Sequence, residues 1–109
     1  MRRVIVESPY AGDVERNERY ARAALKDCLA RGEAPLASHL LYTQPGVLDD
    51  RQPAEREQGI AAGLAWADQA HATVVYVDLG HSRGMALGIE DAEAAGRVIE
   101  YRSLPGWED

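Results

Sequence analysis

Between Thr73 and Ala92 the chain passes from a short apolar stretch, Val74-Val75-Tyr76-Val77, through Asp78-Leu79-Gly80-His81-Ser82-Arg83-Gly84-Met85 into a helical pattern. A run this short, apolar at odd and even positions alike, reads as a strand buried on both faces at the centre of a parallel sheet. Its exit through glycines into a helix N-terminus leaves backbone N–H groups unpaired at the positive end of the helix dipole, which makes an anion cradle. The spacing is not Gly-x-Gly-x-x-Gly, and the only lysine, Lys26, lies far upstream, so neither the dinucleotide fingerprint nor a lysine-bearing phosphate loop is present. The expected ligand is a nucleotide-sized anion, and no cofactor is expected.

The rest of the chain supplies the partners of such a strand. Arg3 to Glu7 reads as a first strand, ended by Pro9, and Asp13 as the N-cap of a helix whose apolar positions continue to Gly32. Ala34 to Ser38 reads as a short second strand, followed by a long connection from His39 to Gln52. Pro53 fits the first position of a second helix. Gly59 and Gly63 inside that helix cost roughly 1 kcal/mol each in propensity, which implies close packing against that face. Thr73 to Val77 is the third strand, Gly84 to Ala95 a third helix closed by Gly96, and Arg97 to Tyr101 the last strand. The alternation predicts a single α/β domain, a Rossmann-like (flavodoxin-like) three-layer fold with a four-stranded parallel sheet in the order 2-1-3-4. It spans residues 1–103, with 104–109 as a short tail. In that order the sheet reverses between the first and third strands, which directs ligands to the loops Glu7–Gly12 and Asp78–Met85.

Composition narrows the function. No apolar run approaches the ~20 residues needed to cross a bilayer, and no signal peptide is evident, so a soluble cytoplasmic protein is expected. The net charge of −6 argues against wrapping a nucleic-acid polymer, while a free nucleotide remains compatible. Cys28 sits at an apolar helical position and reads as a buried thiol. His71 and His81 lack partners at metal-ligand spacing, and no metal is expected.

Three motifs together carry a resemblance: Val6-Glu7-Ser8-Pro9-Tyr10-Ala11-Gly12-Asp13, then Ser38-His39-Leu40-Leu41-Tyr42-Thr43-Gln44, then Asp78-Leu79-Gly80-x-Ser82-x-Gly84-Met85-x-x-Gly88-Ile89. Over nearly its whole length the chain resembles a family of small phage and bacterial proteins of unassigned activity, similar in turn to the nucleoside 2-deoxyribosyltransferases. That resemblance implies a nucleotide or nucleoside ligand, chemistry at the sugar–base bond of a nucleoside monophosphate, and a homo-oligomer, with the 39–52 loop and Trp66 as candidate contacts. It makes Tyr10 the aromatic beside the sugar, Ser82 the phosphate-binding serine and Gly84 the glycine of the turn. The position of the nucleophilic glutamate is occupied by Gly88, which cannot attack.

The residues themselves leave several readings open. Glu7 and Asp78 end the two central strands and form a candidate catalytic pair, one carboxylate attacking the sugar or activating water. Alternatively Asp78 caps the turn while Glu7 pairs with an arginine such as Arg83, or both accept hydrogen bonds from ribose hydroxyls. Ser82 is a phosphate contact or simply a helix cap, and Tyr10 is a sugar- or base-positioning ring or a half-buried aromatic. The expected binding set comprises Ser8, Tyr10, Gly12, His39, Tyr42, Gly80, Ser82, Arg83, Gly84 and Met85. Within it His39 reads as a structural polar contact, and Tyr42 as a partner of the ligand or of a second subunit. The absent glutamate at position 88 also leaves room for a non-catalytic protein that senses or sequesters a nucleotide-derived signal.

Overall fold

A computed structural model describes residues 1–107. Its elements are β1 (Arg2–Glu7), α1 (Val14–Ala30), β2 (Glu33–Leu36), α2 (Ser38–Leu41), α3 (Pro53–Ala67), β3 (Ala72–Tyr76), α4 (Arg83–Ala95) and β4 (Val98–Arg102). The four strands form one sheet in the order β2-β1-β3-β4, and every neighbouring pair is parallel. This is the expected α/β architecture and strand order.

Side chains alternate across a strand, so the register fixes two unlike faces. Val4 lies beside Ala72 and Val6 beside Val74. Together with Tyr76 these residues pack against Tyr20, Ala21, Ala24 and Cys28 of α1 as the hydrophobic core. The chain after β4 returns to the same side, where Trp107 meets Tyr20 edge-on with ring centroids 4.9 Å apart. The opposite face carries Ile5, Glu7 and Thr73 toward α3 and α4. One face is therefore core, and the other holds the cavity described below.

Local chemistry explains most boundaries. The Asp13 side chain accepts the Arg16 amide at the start of α1, Pro53 opens α3, and Gly96 closes α4 in the left-handed region at φ 68°. The expected second strand is shifted: β2 ends at Leu36, and Ser38 to Leu41 form a single helical turn in place of strand end and open loop. The glycines of α3 have a packing reason. A Cβ on Gly63 would stand 2.9 Å from the Ser38 Cβ and nearer still to its hydroxyl, and one on Gly59 would press Leu48 at 3.3 Å. Both contacts let the 38–52 segment lie flat on α3.

A buried ion network ties the N-terminal ends of β1 and β2 to β4. The Arg102 guanidinium donates to both Glu33 oxygens at 2.8 Å and to Glu100 at 2.8 Å, while Arg2 donates to Glu33 and Glu100 from the rim. Arg102 and Glu33 side chains are 5% and 7% exposed, so this pairing is shielded from water.

Candidate functional site

On the polar face of the sheet a cavity of about 100 Å³ opens beside the end of β1. Its floor is Ile5, Glu7 and Thr73; α3 contributes Ile60, Gly63 and Leu64; α4 contributes Gly84, Met85, Gly88 and Asp91. Gly84, Gly88 and Asp91 fall at spacings of four and three, the stripe that one helix face presents.

Glu7 carries the strongly perturbed carboxyl of this cavity. Its carboxyl lies against the backbone of α4 so closely that a Cβ on Gly88 would stand 2.9 Å from Oε1 and nearer still to Oε2 and Cδ. Only glycine leaves that room. No hydrogen bond to the Glu7 carboxyl is formed by any described residue. Burial raises its pKa from the ordinary carboxylate range to about 8; the positive charge of Arg97 opposes the rise and the negative charge of Asp91 adds to it. Arg97 itself is held in place, donating to Thr73 Oγ1 at 3.0 Å, the Ala67 carbonyl at 3.1 Å and Asp91 Oδ2 at 2.6 Å. A fixed cation thus stands near a carboxyl that nothing hydrogen-bonds, a strongly perturbed group in a cleft.

A second polar unit lines the same cavity. Ser8 Oγ and His39 Nε2 are 2.7 Å apart, with Ser8 only 4% exposed. Burial pushes the His39 pKa down to about 4, so the imidazole is neutral near pH 7. At the start of α4 the Ser82 hydroxyl accepts the Met85 amide at 3.2 Å, and the Met85 sulfur accepts the Ser82 amide at 3.3 Å. Ser82 is thus a true N-cap, and the amides of Arg83 and Gly84 remain as the unpaired donors of the first turn. Tyr10 completes the wall opposite.

Seven of the expected residues therefore share one cavity: Glu7, Ser8, Tyr10, His39, Ser82, Gly84 and Met85. Asp78 is not among them. Its Oδ2 accepts the Tyr20 hydroxyl at 2.6 Å and the Leu104 amide at 2.9 Å, and its own amide donates to that Tyr20 oxygen at 2.8 Å. The physical reason is parity. Glu7 lies beside Val75, so Val75 and Val77 share its side of the sheet, whereas Asp78 continues the series Ala72, Val74, Tyr76 that faces α1. The expected Glu7–Asp78 pair is not formed, and the alternative in which Asp78 caps the Gly80 turn is not what the carboxylate does either. Gly80 serves the backbone, turning at φ 80° with its amide donating to the Val77 carbonyl. Gly12 and Arg83 lie off this cavity, and Tyr42 is engaged by Trp66, whose indole N–H donates to the Tyr42 hydroxyl at 2.8 Å. The residues that sequence reasoning passed over are Asp91 and Arg97, which set the charge around Glu7, and Asp50 and Arg56, which line the cavity mouth. The α4 stripe of Gly84, Gly88 and Asp91 was a visible signal for the first of these.

Residues 2–102 match the model of a family described as a domain of unknown function, DUF7768. The chain belongs to the DUF7768 family. Among curated proteins, none matches the sequence. Solved structures with this fold include a 2-deoxyribosyltransferase from the psychrotolerant bacterium Bacillus psychrosaccharolyticus, at 16% identity and a TM-score of 0.64, covering 98% of this chain and 76% of that one. A 2-desoxiribosyltransferase from Leishmania mexicana matches at 16% identity and a TM-score of 0.59, covering 94% of this chain and 65% of that one. At this identity the likeness is one of fold, and it places this DUF7768 chain among deoxyribosyltransferase-like architectures. No described helix is long and apolar enough to cross a membrane.

Proposed function

We propose that the protein binds a nucleoside monophosphate and opens its bond between sugar and base, with Glu7 as the attacking group. The observation that carries this reading is the Glu7 carboxyl itself: free of hydrogen bonds, set at the carboxyl end of a central strand, and filling the space into which a side chain at position 88 would project. In the families this chain resembles, that space belongs to the nucleophile. A carboxyl delivered from β1 in place of α4 enters the same part of the cavity by another route.

In the ionised form a Glu7 oxygen forms a bond to C1′ as the C1′–N bond breaks; the electron pair leaves with the base, which takes a proton from water. Water then attacks C1′ of the glycosyl ester, returning the carboxylate and releasing the sugar phosphate and a proton. Arg97 favours the ionised form that the attack needs. Ser8 and the neutral His39 meet sugar hydroxyls, Tyr10 orients the sugar, and the first turn of α4 with Ser82 holds the phosphate.

Incubation with a panel of nucleoside monophosphates, followed by chromatography for free base, tests the reading. Base release is expected from the wild type and a loss of at least about 10²-fold in Glu7→Gln. The rate should rise with pH toward about 8 as the carboxyl ionises. A second reading rests on the same burial: a carboxyl that keeps its proton at neutral pH suits hydrogen bonding, and tight nucleotide binding without base release would identify a sensing or sequestering protein.

A further inference from the structure

Resting on the reading of Glu7 as the attacking group, we propose that Asp91 is a positioning residue: it holds the Arg97 guanidinium against α4 and so keeps that cation from closing an ion pair on Glu7. The cavity makes such a restraint necessary. Around Glu7 its titratable and charged lining is Tyr10 after β1, His39 of α2, Asp50 and Arg56 at the mouth, Asp91 of α4 and Arg97 at the turn into β4. His39 is neutral near pH 7. The charges felt at Glu7 are those of Arg97 and Asp91. A shielded guanidinium beside a carboxylate pairs with it through parallel N–H···O bonds where nothing else holds the fork. Arg97 lines the same cavity as Glu7, yet forms no hydrogen bond to it.

Three acceptors take the guanidinium instead. Nε donates to Thr73 Oγ1 at 3.0 Å, Nη1 to the Ala67 carbonyl at 3.1 Å and Nη2 to Asp91 Oδ2 at 2.6 Å. They come from β3, the end of α3 and α4, so they fix the plane of the group as well as its place. Two of the three are neutral. A charge-assisted hydrogen bond is roughly twice as strong as a neutral one, so Asp91 is the partner that outweighs Glu7. The Arg97 side chain is 6% exposed, and water does little to weaken that preference. Local chain geometry sets the pair: Gly96 turns at φ 68° and the Arg97 amide donates to the Ala92 carbonyl, which brings Arg97 back beside Asp91. An ion-paired Glu7 would have its oxygens committed to N–H groups. Held apart, Arg97 favours the ionised carboxylate by its charge while the lone pairs stay free for C1′. Asp91 acts through Arg97 and not on the substrate.

Carboxyl-carbon NMR of the full chain, labelled with ¹³C-glutamate and with the Glu7 signal assigned by its loss in Glu7→Gln, follows this titration without substrate. Asp91→Ala removes both charge and contact, whereas Asp91→Asn removes the charge and keeps an oxygen for Arg97 Nη2. The Glu7 midpoint should fall by at least about one pH unit in Asp91→Ala and by less than about half as much in Asp91→Asn. Adding Arg97→Met to Asp91→Ala should return the midpoint to the wild-type value or above, since no cation remains to pair. An unmoved midpoint, equal falls in the alanine and asparagine variants, or a fall that survives Arg97→Met would each overturn the proposal. The alanine–asparagine comparison decides it even where the double variant does not fold. In base release, Asp91→Ala should lose at least about tenfold in kcat with KM within about threefold, and Asp91→Asn should recover most of that loss. Full kcat in Asp91→Ala would overturn the positioning role. If the wild type releases no base, Glu7 as attacking group falls, while the NMR midpoints still show whether Asp91 restrains Arg97.

Discussion

Glu7 couples protonation to folding, and the sign follows from its environment. Burial raises its folded pKa to about 8 from an unfolded value near 4.5. The folded state thus holds a proton that the unfolded state releases, so the stability associated with protonated Glu7 is fully present below pH 4.5 and is lost as pH rises toward 8. Each pKa unit is worth about 1.36 kcal/mol, which sets an upper limit of about 4 kcal/mol on the loss between pH 5 and pH 9. The carboxyl faces a cavity that admits water, and partial hydration moderates the burial; a loss of about 2–4 kcal/mol is expected. That is a large share of the ~5–15 kcal/mol that holds a domain of this size together. Glu7→Gln keeps the shape and removes the proton. Urea unfolding of both proteins at pH 5, 7 and 9 isolates the effect, because every other titrating group is common to the pair. The stability of Glu7→Gln relative to wild type should climb across this range. Parallel curves, with a difference constant to within about 0.5 kcal/mol, would show that the carboxyl is solvated and would remove the premise of a perturbed reacting group.

The same geometry makes three further outcomes measurable. Gly88→Ala inserts a methyl into the Glu7 carboxyl; overpacking of about 1–3 kcal/mol against a helix-propensity gain near 1 predicts a net loss below about 2 kcal/mol, but a fall in nucleotide turnover of at least about 10²-fold. Tyr20→Phe removes the hydroxyl that Asp78 and its amide share, and a denaturant titration should register about 1–3 kcal/mol of destabilisation with turnover unchanged. A loss of turnover there would return Asp78 to the reaction. Arg102→Ala strips the buried partner from Glu33 and should cost about 3–5 kcal/mol by equilibrium unfolding, nearer the lower figure because Arg2 still pairs with Glu33.

Periodicity and turn chemistry made the architecture readable. Helix starts at Asp13 and Pro53, the stop at Gly96 and the fully buried third strand each have one local cause, and together they leave a parallel sheet as the consistent outcome. The 38–52 segment was less legible. Ser38 begins a turn of helix because Gly63 opens a space for it on α3, a contact between residues 25 positions apart that local pattern does not carry. The site was readable where it follows strand ends, at Glu7, Ser8, Tyr10, Ser82 and Gly84. It was misread at Asp78 because an apolar run on both faces of β3 conceals which face each residue takes. Counting parity from the β1 register resolves it, but that register is itself a product of the fold. Asp91 shares the α4 stripe of Gly84 and Gly88, whereas Arg97 lies beyond the Gly96 stop and no spacing rule joins it to Glu7.

Glu7 and Gly88 form one feature, so neither should be replaceable alone. If the site requires a carboxyl at a fixed point and not a particular chain position, the group should be deliverable from α4. The position of a Cβ at residue 88 already falls among the Glu7 carboxyl atoms, closest to Oε2 and Cδ. An aspartate there carries its carboxyl carbon only about 1.5 Å beyond that Cβ, one C–C bond, whereas a glutamate carries it one bond further, two bonds from that Cβ. The double variant Glu7→Ala/Gly88→Asp should therefore recover at least tenfold in base release over Glu7→Ala, and Glu7→Ala/Gly88→Glu should recover less because its carboxyl overshoots into the sugar space. The alanine at position 7 makes the room that Gly88 provides in the wild type, so both double variants should melt close to Glu7→Ala itself. If the aspartate variant folds, binds nucleotide and releases no more base than Glu7→Ala, the carboxyl's location is not what the reaction uses, and Glu7 serves recognition alone.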